Sequence, residues 1–374
     1  MEEIKNIIVN KRDFIINNQL ENGYIDIKTL PWPIRPDFIR KTHSARMIMS
    51  RGCPFNCDFC TTPNYYKGNL RFRDPNDVVE EMKFLNKNYD VDKFFFADDL
   101  FFYGSKESIK RVSKLADLIE QNTLNISFRG ECRADVMLDN LDIVKKLYKA
   151  GMKYVFVGLE SSVSKDLDNY NKRISTADVA NLPKLLNEIG ISLVPGFIIF
   201  NKYSELNDIR LNLLFLRNND LMYRITMISR TCLGYPGSDM YKEMKLKKDY
   251  DISRSSTNIL YPNFVSEKVR TLSVAMGYIE IMFLTLDSKM LQLKIYKYDE
   301  IKIRRKDREI NINVEEADRI FDKLQDIYVQ TFSAAIDIAE QEEFEVGYNK
   351  IIDLFKEIYS KAEEMISSFE KVLS

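Results

Sequence analysis

The chain has 374 residues, enough for one large domain or two ordinary ones around a sizeable core. Its 55 basic and 56 acidic side chains leave a net charge of -1, which excludes a broad electrostatic affinity for nucleic acid, though not a local patch. The start, Met1-Glu2-Glu3-Ile4-Lys5, lacks the layout of a secretory signal. No run approaches the roughly 18 uninterrupted apolar residues of a membrane span, and the best, 189–200, is broken by Ser192, Pro195 and two glycines. Five cysteines, three of them clustered, suit a reducing compartment. A cytoplasmic protein with no membrane and no nucleic-acid partner is the expectation.

Residues 1–42 read as an extension or linker. Ile4 to Ile16 predicts a short helix, and Pro31-Trp32-Pro33-Ile34-Arg35-Pro36 must be extended, because each proline disfavours helix in the residue before it. Trp32 is expected to anchor this segment by packing.

From Ala45 strand-like and helix-like segments alternate. Ala45 to Ser50 is the first strand, followed by a cysteine-rich loop and a helix that opens at Asp74-Pro75, an N-cap followed by proline. Lys93 to Ala97 is the second strand and Ser105 to Gln121 its helix, with Ile109, Val112, Leu115, Leu118 and Ile119 on one face. Asn125 to Arg129 is the third, with a helix from Asp139 to Ala150 stopped by Gly151. Tyr154 to Leu159 is the fourth, with a helix from Ser175 to Gly190; Ile191 to Phe200 is the fifth, with a helix from Ser204 to Asn218. Met222 to Arg230 reads as a sixth strand, turning at Tyr235-Pro236-Gly237-Ser238 into a helix to Leu246. Six strand-helix units in series predict an α/β fold with a parallel sheet and helices outside it; whether the sheet closes or stays open is not decided by pattern.

The alternation spans 43–250 and then stops. Val269, Leu272, Met276, Ile279, Phe283, Leu286 and Met290 mark one helix face. Phe321 to Ala339 and Ile351 to Phe369 mark two more, and Leu291 to Arg305 predicts a short hairpin or strand between the first and second. Residues 251–374 therefore read as a mainly helical C-terminal domain, its apolar stripes serving as core.

The loop after the first strand reads Arg51-Gly52-Cys53-Pro54-Phe55-Asn56-Cys57-Asp58-Phe59-Cys60, a C-x3-C-x2-C spacing. Three thiolates where a metal site usually takes four leave a position open to an outside ligand. A zinc site would want paired Cys/His ligands, and the sole histidine, His43, has no such partner. A zinc-binding scaffold, or a catalytically silent partner protein, is the competing reading.

The spacing, with glycine before the first cysteine and an aromatic before the last, resembles the radical S-adenosylmethionine (radical SAM) superfamily, and the resemblance extends over about residues 31–247. It implies an incomplete (β/α)6 TIM-like barrel. It also implies a [4Fe-4S] cluster held by Cys53, Cys57 and Cys60, and S-adenosyl-L-methionine chelated to the fourth iron. An external one-electron reductant of the flavodoxin or ferredoxin type would drive cleavage to a 5'-deoxyadenosyl radical, which abstracts a hydrogen from a small-molecule or peptide substrate. Phe59 would lie beside the adenine.

Ligands in such folds sit at the carboxyl ends of the strands. On the same resemblance, Asp98 or Asp99 meets the cofactor ammonium and Glu160-Ser161 faces its ribose and methionine portion. Arg173, in Asn171-Lys172-Arg173, lies near the carboxylate, and Gly196 allows close approach of the adenine. Arg129-Gly130-Glu131-Cys132-Arg133-Ala134-Asp135 is dense in charge at the third strand end, where salt bridges are expected, with Arg133 also a possible cofactor or substrate contact. Cys132 and Cys232 fall near strand ends, either as buried small hydrophobes or as thiols able to return a hydrogen atom to a substrate radical. The closest flavour is the branch whose barrel follows a cobalamin-binding domain. Some 40 residues precede the barrel here, so cobalamin-dependent methyl transfer by this chain alone is disfavoured.

Overall fold

Five segments pair into one parallel sheet, β1 (Ser44–Met47), β2 (Lys93–Phe96), β3 (Ser127–Cys132), β4 (Met152–Glu160) and β5 (Ser192–Phe197), hydrogen-bonded in that order. The computed structural model describes residues 8–11, 14–17, 25–35, 38–298, 304–305, 308–309 and 314–373. The chain divides into two compact units, Met1–Ile34 and Arg35–Ser374.

Each connection carries a helix, as parallel neighbours require. These are α1 (Pro75–Tyr89), α2 (Lys106–Gln121), α3 (Leu141–Lys149) and α4 (Thr176–Ile189), with α5 (Leu206–Asn218) after the last strand. Their ends form where the side chains dictate. The Asp74 carboxylate accepts from the Asn76 N–H with Pro75 behind it, the Ser105 hydroxyl accepts from the Ser108 N–H, and Ser175 with Asp178 forms a capping box.

The register sets Arg46, Phe95, Arg129, Tyr154 and Ser192 side by side across the five strands. Residues of the alternate set, such as Ala45, Phe94, Phe128 and Val155, are buried in the core with Val79, Met82, Val112 and Leu115 of the helices.

The stretch expected as a helix from Ile4 to Ile16 contains, among its described residues, an antiparallel pair, Ile8–Lys11 with Phe14–Asn17. Ile8-Val9 and Phe14-Ile15-Ile16 are two short β-prone runs rather than one helical stripe. The sixth strand is likewise absent, so the sheet has five strands. Thr226–Ser229 is a helical turn, and only a parallel bridge between Phe200 and Thr231 continues the sheet. The cause is a carboxylate: Asp287 accepts the N–H groups of Ile225 at 2.9 Å and Thr226 at 2.8 Å, which stabilises a turn where a strand would point them at a neighbour.

The C-terminal region is helical, with α6 (Glu267–Tyr298), α7 (Val314–Gln341) and α8 (Phe344–Leu373). The ring of Phe283 on α6 meets Tyr328, Phe355 and Tyr359 edge-on. The segment expected as a hairpin from Leu291 is helical to Tyr298, and the pairing is confined to Arg304–Arg305 with Arg308–Glu309; residues 299–303 lie outside the described residues. Among the described residues, Glu267–Leu291 is one helix long and apolar enough to cross a membrane by length and composition, with mean hydropathy 1.4 and half of that window buried inside the protein. It was not legible as an apolar run because Glu280 and Asp287 interrupt it.

Candidate functional site at the carboxyl ends of the strands

The cysteine loop is held at both ends. Ser50–Arg51 pairs with Arg71–Phe72, and Gly52 turns the chain at φ +98°, where an added Cβ would lie 2.7 Å from the Asn69 carbonyl oxygen. The Gly52 N–H donates to Asp99 Oδ2 at 2.8 Å. Asp98 is buried, one carboxylate oxygen accepting from the Ser50 hydroxyl and the other from the Met49 N–H. Burial pushes its pKa up to about 6 against those hydrogen bonds. On the far side of the loop, the Asp58 N–H donates to the Tyr170 carbonyl at 3.1 Å and Asn171 Nδ2 donates to the Asn56 carbonyl at 2.8 Å.

The three thiols are free and partly exposed. Burial raises the Cys53 thiol to about 11, where the neighbouring Cys60 and Cys57 add to the rise. Burial raises Cys57 as well, opposed by the nearby Lys172 and Arg133. Arg133 lies with its guanidinium 3.7 Å from the Phe55 ring centroid, Nη1 3.8 Å from Cys57 Sγ and Nη2 donating to the Lys172 carbonyl at 2.7 Å. It also pairs with Asp135. Lys172 itself is buried against Glu160, Nζ to Oε1 2.7 Å. Glu160 ends β4 with φ +63°, a strained backbone that a buried ion pair can hold in place.

A cavity of about 330 Å³ adjoins the loop and is lined by Phe59, Phe156, Glu160, Gly196, Arg224 and Cys232 among others. It brings together four of the residues singled out in the sequence: Phe59, Glu160, Gly196 and Cys232. A Cβ on Gly196 would come 2.7 Å from Phe156 Cζ, so the ring of Phe156 accounts for the glycine. Cys232 is buried with its thiol 3.6 Å from Met240 Sδ, and burial pushes its pKa well up. It also borders a second cavity, of about 260 Å³, with Asp58, Tyr170 and Met240.

The other expected residues lie elsewhere. Both oxygens of Asp98 anchor the first strand's end, and the residue is buried behind it. Asp99 holds the loop entry. Ser161 is fully buried, its hydroxyl bonded to Asp166 at 2.7 Å, and so braces the strand end from behind. Arg173 is exposed, its Nε donating to Asn171, while its neighbour Lys172 supplies the buried cation. Cys132 alternates with Glu131 on β3 and packs in the core, so it does not reach the cavity. Sequence reasoning missed Lys172, Phe156, Arg224 and Thr226. Only Lys172 had a signal, its place in the quoted basic motif.

Three cysteine thiols on one loop, flanked by two cations, are a donor set suited to an anionic iron-sulfur cluster. Among the described residues no group of three or more His, Cys, Asp or Glu converges on a single metal ion. A strand-helix barrel with such a loop after its first strand defines a class of cluster-dependent α/β enzymes. Residues 47–209 match the model of the Radical SAM superfamily. The family uses a [4Fe-4S] cluster and S-adenosylmethionine, with a reductant and a substrate.

The bacteriochlorophyllide d C-8(2)-methyltransferase of Chlorobaculum tepidum is 28% identical over 269 residues, 65% of this chain and 56% of that protein. The anaerobic magnesium-protoporphyrin IX monomethyl ester cyclase of Rubrivivax gelatinosus is 29% identical over 150 residues, 40% of this chain and 26% of that protein. The solved structure of the cobalamin-dependent S-adenosylmethionine radical enzyme OxsB, with aqua-cobalamin and S-adenosylmethionine bound, superposes over 100% of this chain and 60% of its own, with TM-score 0.70 and 14% identity. That likeness shows a shared fold. This chain spans little more than half of the first relative and about a quarter of the second.

Proposed function

We propose that the chain is a radical SAM enzyme in which Cys53, Cys57 and Cys60 hold the [4Fe-4S] cluster and the cavity beside them receives S-adenosylmethionine and a small metabolite or peptide. When bound, the cluster and cofactor supply reductive cleavage of the sulfonium and abstraction of a substrate hydrogen. The observation that carries this reading is Phe59, which lies between the second and third cysteines and also lines the cavity.

The chain's own residues position and shield. Arg133 and Lys172 place positive charge beside Cys57 and so favour its thiolate form. Glu160 balances Lys172 and presents its carboxylate to the cavity, where cofactor hydroxyls can donate to it. Asp99 fixes the backbone entering the loop. Cys232, and not Cys132, is the candidate hydrogen donor, because it lines the cavity and burial keeps its thiol protonated. An external one-electron reductant of the flavodoxin or ferredoxin type completes the cycle.

The test is anaerobic reconstitution with iron and sulfide, followed by reductant and S-adenosylmethionine. Formation of 5'-deoxyadenosine is expected; a colourless protein with stoichiometric zinc would overturn the reading. Cys232→Ala should preserve 5'-deoxyadenosine formation while changing hydrogen return to the product, and an unchanged product would assign this thiol to packing alone. The methyltransferase relative favours methyl transfer as a second reading. It would appear as S-adenosylhomocysteine among the products.

A further inference from the structure

One wall of the same cavity carries polar atoms that neither the fold nor the cofactor reading uses. Arg224 and Thr226 both line it. The Nε of Arg224 and the hydroxyl of Thr226 are buried without a hydrogen-bond partner, in a residue only 6% exposed in the case of Thr226. The nearby Asp287 carboxylate lies against the Thr226 side chain and attracts the Arg224 charge. Both oxygens of Asp287 are already engaged by the backbone N–H groups of Ile225 and Thr226. Arg224 lies over the Tyr223 ring, 5.3 Å from its centroid. The other cation of this wall, Arg230, is matched by Glu280 at 3.2 Å.

A buried guanidinium N–H and a hydroxyl left unpaired each carry a desolvation cost that a bound acceptor would remove. The two are two residues apart on the turn that replaces the sixth strand, and Asp287 fixes that turn from α6. A guanidinium fork beside a hydroxyl matches an oxyanion, and Phe156 and Gly196 give the adjoining wall an apolar surface for the carbon body attached to it.

We propose that Arg224 and Thr226 form an anion subsite that holds a phosphate or carboxylate group of the substrate in this cavity. The proposal rests on the cavity being the radical SAM site, and it names the substrate as an anionic metabolite or an acidic residue of a peptide.

The test uses the cluster-loaded protein with inorganic phosphate and with acetate as separate probes, at constant ionic strength set by chloride. In the unmutated protein, phenylglyoxal modification of Arg224, mapped by peptide mass, should be slowed by one of the two anions and not by chloride. Arg224→Gln should weaken binding of that anion by about tenfold or more, the effect of losing a charge-assisted hydrogen bond. Arg224→Lys should retain part of the affinity, and Thr226→Val should lose severalfold. S-adenosylmethionine affinity should stay within about twofold of wild type in Arg224→Gln, since that cofactor is a different ligand. Modification of Arg224 that neither anion slows would overturn the subsite. So would parallel loss of anion and S-adenosylmethionine binding, which would give these atoms to the cofactor. Failure to form 5'-deoxyadenosine, with anion protection intact, would instead overturn the radical SAM reading and leave the anion site standing.

Discussion

The cysteine-loop side of the mouth and the wall at residues 224–231 treat polar groups in opposite ways. Beside the loop, Lys172 is matched by Glu160, Arg133 by Asp135 and the Lys172 carbonyl, and Asp98 by Ser50 and Met49. On the opposing segment the Nε of Arg224 and the hydroxyl of Thr226 are buried and unmatched. Pairing fixes a shape before any ligand arrives, whereas an unmatched buried donor is paired only when a ligand comes. On the proposed reading, the first side holds a cluster in one place and the second accepts a ligand that comes and goes.

The largest expected effect lies on the loop side. Cys57→Ala should abolish both the visible absorption of the reconstituted cluster and 5'-deoxyadenosine formation, read by spectroscopy and chromatography; retained turnover would remove Cys57 from the ligand set. Next comes the ion pair. Lys172→Met or Glu160→Gln alone leaves one buried group without its partner and should cost about 3–5 kcal/mol of unfolding free energy. The double variant should recover most of it. Denaturant melts check this, and equal losses in single and double variants would show that the pair is not what holds the strand end.

Asp98 gives a pH-dependent effect. Its folded pKa, about 6, lies above the ordinary carboxylate value, so the folded state binds the proton more tightly. Its contribution is therefore most favourable below about pH 4 and is lost as pH rises to about 6. Relative to Asp98→Asn, the wild type should lose about 3 kcal/mol of stability across that window. Parallel stability-pH curves for the two proteins would contradict the assignment. The smallest effect belongs to the other wall. Thr226→Val removes an unmatched hydroxyl and should leave unfolding free energy unchanged or raise it by up to about 1 kcal/mol, whereas Ser161→Ala, which breaks a matched one, should lower it by about 1–3 kcal/mol. A Thr226→Val loss as large as that of Ser161→Ala would erase the distinction between the two sides.

The strand-helix order and the cysteine loop were legible because they rest on local signals: capping residues, apolar runs and one fixed spacing. Phe59, Glu160 and Gly196 came from the family resemblance and Cys232 from its place near a strand end, and the four line one cavity. What was not legible depended on distant partners. The sixth strand yields to a helical turn because of Asp287, some 60 residues downstream. Arg173 looked equivalent to Lys172, and only the fold shows which of the two meets Glu160. The burial of Asp98 against Ser50 and Met49 depends on the fold around it. Of the two readings open to Cys132, strand alternation takes the buried one, turning it from the mouth to the core.

The central claim, that the cysteine loop holds a cluster open to S-adenosylmethionine, is tested most directly by electron paramagnetic resonance of the reduced, reconstituted protein before and after the cofactor is added. The account predicts a [4Fe-4S] signal whose g values shift on addition, because the cofactor binds at the site the three thiolates leave open. An iron-sulfur signal that S-adenosylmethionine leaves unchanged, or none at all in a protein loaded with iron and sulfide, would contradict it.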